Sequence, residues 1–92
     1  MKRFKDALTK QIFEGVIVKG LPSDIERRAI IKLTMVEAAT GINELATPPS
    51  NHLEKLKGDR AGQWSVRVND RYRICFKWHK DRAWEIEFVD YH

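Results

Sequence analysis

Ninety-two residues, 42% hydrophobic and 33% charged, suit one globular domain and exclude a wholly disordered chain. A single cysteine, Cys75, excludes an intramolecular disulfide framework, and no apolar run approaches a membrane span, so a soluble cytoplasmic protein is expected. Lys and Arg number 17 against 13 Asp and Glu, a net charge of +4 that only slightly favours a polyanionic partner over simple solubility.

In chain order, Phe4 closes a short segment suited to pairing as an edge strand. Asp6 is expected to cap a helix running toward Glu14, with Leu8 and Ile12 on one stripe and Gly15 as its stop. Residues 16–20 then connect to a second helix. There Ser23 and Glu26 have capping-box spacing behind Pro22. Ile25, Ala29, Leu33 and Val36 recur at helical spacing and predict a buried stripe, widened by Ile30, Ile31 and Met35. Core is the simplest reading of that surface, with part of it open to a partner. Gly41 should end the helix near Thr40, and residues 46–51, containing Pro48 and Pro49, should form an extended loop.

Beyond His52 the period changes to two. Trp64, Val66 and Val68 alternate with Ser65 and Arg67; Tyr72, Ile74, Phe76 and Trp78 alternate with Arg73, Cys75 and Lys77; Trp84, Ile86 and Phe88 alternate with Glu85 and Glu87. These predict three half-buried antiparallel strands in a meander. Matching apolar faces across the ladders fixes the register, because a one-residue slip would turn each apolar set toward water. A three-residue loop through Arg71 pairs Val66 with Ile74 and Arg67 with Arg73. A loop of His79, Lys80 and Asp81 pairs Phe76 with Trp84 and Arg73 with Glu87. The expected fold class is α+β, two N-terminal helices packed on one face of a twisted, mainly antiparallel sheet over residues 1–92.

On the other face this register sets a row Arg67–Arg73–Glu87 beside a row Ser65–Cys75–Glu85. Facing arginines are unfavourable unless an anion joins them, and a scissile phosphate is such an anion. The plainer reading has Glu87 neutralise Arg73 while Arg67 bends into solvent. The ending Asp90-Tyr91-His92 places a carboxylate, a phenol and an imidazole directly after the last strand. A chain end is normally a frayed polar tail, but this one is tethered to a strand. Cutting RNA needs a base for the 2′-OH, an acid for the 5′-oxygen, and cations against the charge of the phosphorane.

The run Leu56-Lys57-Gly58-Asp59-Arg60-Ala61-Gly62, the serine after Trp64, the segment Asn69-Asp70-Arg71-Tyr72-Arg73-Ile74 and the ending Val89-Asp90-Tyr91-His92 together resemble the HigB toxins of the RelE-like family. The resemblance spans essentially the whole chain. It implies a single RelE-like toxin domain and a ribosome-dependent endoribonuclease acting on messenger RNA in the ribosomal A site. It also implies contact with ribosomal RNA and neutralisation by a cognate helix-turn-helix antitoxin, through which alone DNA would be met. No cofactor is implied. Carried over residue by residue, the catalytic ending matches Asp90, Tyr91 and His92, the strand arginine matches Arg73, and the lysine of the Lys-Gly-Asp run matches Lys57. Some members carry a catalytic histidine three residues before that lysine, where Glu54 stands here. Glu54 supplies a carboxylate base, or His52 replaces the missing ring, or the C-terminus carries the chemistry; the sequence leaves these open.

The expected mechanism has Arg73 and Lys57, with Arg67 and His52 alongside, around the scissile phosphate. Asp90 or Glu54 takes the 2′-OH proton, His92 protonates the leaving oxygen, and Tyr91 stacks on a base or donates to the phosphate. His52, His79 and His92 lack zinc-type spacing, so a metal-free route is expected. Cys75 has no histidine beside it in the ladder and an acidic neighbour, which suits a quiet small residue better than a nucleophile. A non-catalytic module that binds antitoxin or ribosomal RNA is the competing reading, and the departure at Glu54 lends it weight.

Overall fold

The Asp6 carboxylate accepts a hydrogen bond from the Thr9 amide at 2.8 Å and starts α1 (Ala7–Phe13) in the computed structural model, which describes residues 1–91. The expected Leu8–Ile12 stripe is rotated by one residue. Thr9 and Ile12 are buried, whereas Leu8 is 41% exposed. The reason is a hydrogen bond: the Thr9 hydroxyl accepts from the Phe88 amide at 2.9 Å, satisfying a buried sheet donor that Leu8 could not serve.

The second helix, α2 (Ser23–Ala38), buries Ala29, Leu33 and Val36 completely, while Ile31 is exposed. The capping box does not form. Ser23 is already helical behind Pro22, and the Glu26 carboxylate accepts instead from the Val18 amide at 3.2 Å, tying down the connector. The helix stops at Ala38, earlier than expected, with Ala39 extended and Glu44 holding both the amide and the hydroxyl of Thr40. Residues 46–51 are not one extended loop. Two 3-10 turns, Ile42–Ala46 and Pro49–Asn51, flank Thr47 and Pro48. The buried Asn51 amide donates to the carbonyls of Leu45 and Thr47, which folds this loop onto itself.

The sheet is antiparallel in the order β1 (Glu54–Lys55), β2 (Gln63–Arg67), β3 (Tyr72–His79), β4 (Arg82–Asp90). The short β1 adds to the expected meander. The first hairpin has the expected register, with Val66 opposite Ile74 and Arg67 opposite Arg73. Its turn is shaped by the Asn69 side chain, which accepts from the amides of Arg71 and Tyr72.

The second hairpin differs twice. Its loop is Lys80 and Asp81 alone, with His79 opposite Arg82, Trp78 opposite Ala83 and Lys77 opposite Trp84. A bulge then places Glu85 and Ile86 against Phe76, with Glu85 at φ 53°, so that Cys75 meets Glu87 and Arg73 meets Val89. Each change shifts the ladder by one residue. The first takes Trp84 off the helix-facing side and gives its place to fully buried Ala83; the second returns Ile86 and Phe88 to the core. The bulge also lets the N-terminal segment pair along β4: Glu85 and Ile86 donate to the carbonyls of Lys2 and Arg3, and Phe4 bridges Ile86 in parallel. Ile12, Leu33 and Val36 thus pack on Val66, Ile74, Phe76 and Ile86. Each large apolar side chain fully buried there contributes about 1.5–3 kcal/mol.

Candidate functional site

Alternation along β3 puts Arg73 on the side of the sheet away from the helices, level with Arg67 and Val89. Its guanidinium is fixed at two points: Nε donates to the Ser65 hydroxyl at 2.8 Å and Nη2 to the His52 carbonyl at 2.8 Å. Ser65 is fully buried, so this anchor does not drift. The fork is held while its other N–H groups remain to bind, a preorganised arrangement for an oxyanion. Among the described residues no carboxylate pairs with Arg73. Neutralisation of Arg73 by Glu87, the plainer of the two readings of that row, does not occur, because the shifted register sets Glu87 opposite Cys75, where it accepts from Arg60 at 3.2 Å and pairs with Lys5 at 3.5 Å.

The remaining expected site residues surround this arginine unevenly. Glu54 is exposed opposite Ser65, on the same face of the sheet. His52 follows the Pro49–Asn51 turn with φ 44°, and its contact with Arg73 is made by the carbonyl. Arg67 is half-buried and paired with Asp70, whose side chain is 98% exposed. Lys57 is exposed just before the turn Gly58–Arg60, at the far end of the β1–β2 hairpin, and no bond joins it to Arg73.

Asp90 ends β4 opposite Tyr72, which places it on the helix side of the sheet rather than with Arg73. Arg71 holds both its oxygens, Nε to Oδ1 at 3.0 Å and Nη2 to Oδ2 at 2.8 Å. The guanidinium also lies 5.2 Å from the Tyr72 ring centre, and Tyr72 stacks on Phe88 at 4.9 Å. Tyr91 is exposed, and its amide donates to the Arg71 carbonyl at 2.7 Å. His92 lies outside the described residues.

From the sequence, Ser65 stands in a row beside Arg73 and Arg71 in a loop, and both belong to the motifs of the resemblance, but neither has a site role. Ser65 had a readable signal, since alternation sets it diagonally from Arg73. Arg71 had none, because its pairing with Asp90 depends on the bulge. Cys75 is buried, and burial above all pushes its thiol up, with Glu87 adding to that and Arg60 and Arg73 opposing. Among the described residues no three His, Cys, Asp or Glu side chains group closely enough to hold a metal ion, and no helix is long and apolar enough to cross a membrane.

Residues 2–92 match the family model described as the RelE-like toxin of the type II toxin–antitoxin system HigB. The chain is 35% identical over 92 residues to a protein named Endoribonuclease HigB from Proteus vulgaris, covering 100% of this chain and 99% of that one. It is 40% identical over 76 residues to Toxin HigB-1 of Vibrio cholerae serotype O1, covering 82% and 80% of the two chains. A similar match, 35% identical over 83 residues, is to an uncharacterized protein of Haemophilus influenzae.

Proposed function

This chain belongs to the HigB branch of the RelE-like toxins of type II toxin–antitoxin systems, and from that premise we propose that it is an endoribonuclease that cuts messenger RNA on the ribosome. Membership implies an antitoxin partner. The reading extends this to a helix-turn-helix antitoxin, to a cytoplasmic setting, and to contact with DNA only through the antitoxin.

The observation that carries the reaction is Arg73, clamped by Ser65 and His52 on the uncovered face with fork donors to spare. Arg73 receives the scissile phosphate, with Lys57 and Arg67 adding charge from either side. A base takes the proton from the 2′-OH, and the 2′-oxygen attacks the adjacent phosphorus. The bond from phosphorus to the 5′-oxygen breaks as His92 gives that oxygen a proton. The products are a 2′,3′-cyclic phosphate and a 5′-hydroxyl end. Glu54 suits the base better than Asp90, because it is exposed on the face that bears Arg73, while Arg71 engages both oxygens of Asp90. Asp90 then positions the tail, and Tyr91 stacks on a base.

Primer extension on transcripts after brief induction tests this. The expected result is new 5′-hydroxyl ends within reading frames, absent with His92→Ala and with Arg73→Ala. New ends carrying 5′-phosphate, or equal toxicity of all three chains, would refute the scheme.

A further inference from the structure

A cavity of about 360 Å³ opens between α2 and the end of β2, away from the Ser65–Arg73 contact, and its lining includes Arg28, Lys32, Ser50 and Arg67. We propose that it is a second phosphate site, which takes a backbone phosphate of RNA other than the one being cut. The proposal rests on the ribonuclease reading and concerns how the substrate is held.

The charges in this cavity are hard to explain by folding alone. Arg28 and Lys32 are one helical turn apart, so they share a face and repel. Lys32 is half-buried, and both its burial and the Arg28 charge hold its ammonium below the usual lysine range. Its hydrogen-bond acceptor is the neutral amide oxygen of Asn51. Among the described residues no carboxylate pairs with Arg28 or Lys32. Arg67 has Asp70, but a partner so exposed is weakly held and readily exchanged for a stronger anion. Three cations around one cavity with a single exposed acid between them are what an incoming phosphate would stabilise. Guanidinium forks, an ammonium and the Ser50 hydroxyl are donors suited to its oxygens.

Topology ties this cavity to the first site. Strand β1 pairs with β2 at Trp64 and Ser65, with a further bond from the Leu56 amide to the Gln63 carbonyl, so its ladder stops short of Arg67. Arg67 faces Arg73 across one ladder and also lines the cavity against α2. Cations therefore continue from Arg73, over the rim at Arg67, to Lys32 and Arg28. A strand whose scissile phosphate lies on Arg73 has a charged path around that edge.

The experiment uses a 12-nucleotide RNA, 2′-O-methylated throughout so that it cannot be cut, and purified ribosomes without messenger. Binding of each to wild type, Arg28→Glu and the double variant Arg28→Ala/Lys32→Ala is measured across a salt series. Arg28→Glu leaves the bond from Lys32 to Asn51 in place, and thermal melting confirms that each variant is folded. The expected result is roughly tenfold weaker binding and a salt slope shallower by about 0.7, the loss of one phosphate contact on a single strand. Loss on the oligonucleotide assigns the site to the strand being cut, and loss on ribosomes alone assigns it to ribosomal RNA. Unchanged affinity and slope on both would overturn the proposal. Wild type binding neither partner would instead overturn the ribonuclease reading itself.

Discussion

Val89 lies opposite Arg73 in the β3–β4 ladder, and this pairing decides where Asp90 leaves the sheet. A three-residue loop and an unbroken ladder would place Asp90 opposite Asp70, beyond the end of β3. The shorter loop and the bulge instead set it opposite Tyr72. Asp90 is drawn back by two residues, about 7 Å at strand spacing, toward Arg73. A backbone irregularity at Glu85 thereby connects the core to the site.

Deleting Glu85 tests that connection. Without the extra residue, either Ile86 and Phe88 turn away from the helices or the whole hairpin must slip. Both residues are core, and losing their burial removes about 3–6 kcal/mol by the usual value per side chain. That is a large part of the 5–15 kcal/mol typical of a small domain. The shortened chain is expected to be unfolded or nearly so at 37 °C by circular dichroism and urea titration. Native-like stability would mean that the bulge does not set the register.

Ser65→Ala removes the acceptor of Arg73 Nε and leaves the bond to the His52 carbonyl. Cleavage on programmed ribosomes should fall about tenfold, against 100-fold or more for Arg73→Ala, in line with losing an aligned donor at an oxyanion. Arg73→Lys should resemble the alanine variant, since an ammonium cannot span both anchors and still present a fork. Single-turnover rates give the comparison. A Ser65→Ala chain as fast as wild type would show that the clamp is dispensable.

The residues that sequence analysis read correctly are those whose position depends on alternation alone. Arg73 on the uncovered face and the stripe Ala29, Leu33, Val36 follow from periods of two and 3.6, and Arg67 across from Arg73 needed only the loop length that keeps the apolar faces matched. Errors began where backbone conformation intervened. Glu85 adopts a positive φ without being glycine, so no residue type marked the bulge; the misplacement of Trp84 follows from the two-residue loop, and those of Glu87 and Asp90 from loop and bulge together. Thr9 was passed over for Leu8 because hydropathy cannot register a hydroxyl's value to an orphan amide of the sheet. Glu26 met the spacing of a cap, but its carboxylate found the Val18 amide instead.

Arg71→Ala examines whether the ion pair with Asp90 holds the tail. The pair is exposed and screened by solvent, so global stability should hardly change. Its bidentate geometry nevertheless fixes the carboxylate that precedes Tyr91 and His92. Cleavage is expected to drop at least tenfold while the melting temperature stays within a few degrees, and Asp90→Ala should give the same pair of results. If Arg71→Ala cleaves normally, the tail finds its place without this anchor.

Cys75 offers a test through pH. Its thiol is held above the usual range chiefly by burial, so the folded state favours the neutral form more than the unfolded chain does. The resulting contribution to stability is complete below the unfolded thiol value of about 8.5 and is lost as pH rises beyond it, because the unfolded chain ionises first. The limiting slope for one such group is about 1.4 kcal/mol per pH unit. Urea titrations from pH 7 to pH 10 should show a decline that is smaller in Cys75→Ala, the difference isolating the thiol from lysine and tyrosine ionisation. In the native protein at pH 8, an aromatic disulfide reagent should label Cys75 at least 100-fold more slowly than in urea. Rapid native labelling would place the thiol in solvent and revive it as a nucleophile on the face that bears Arg73.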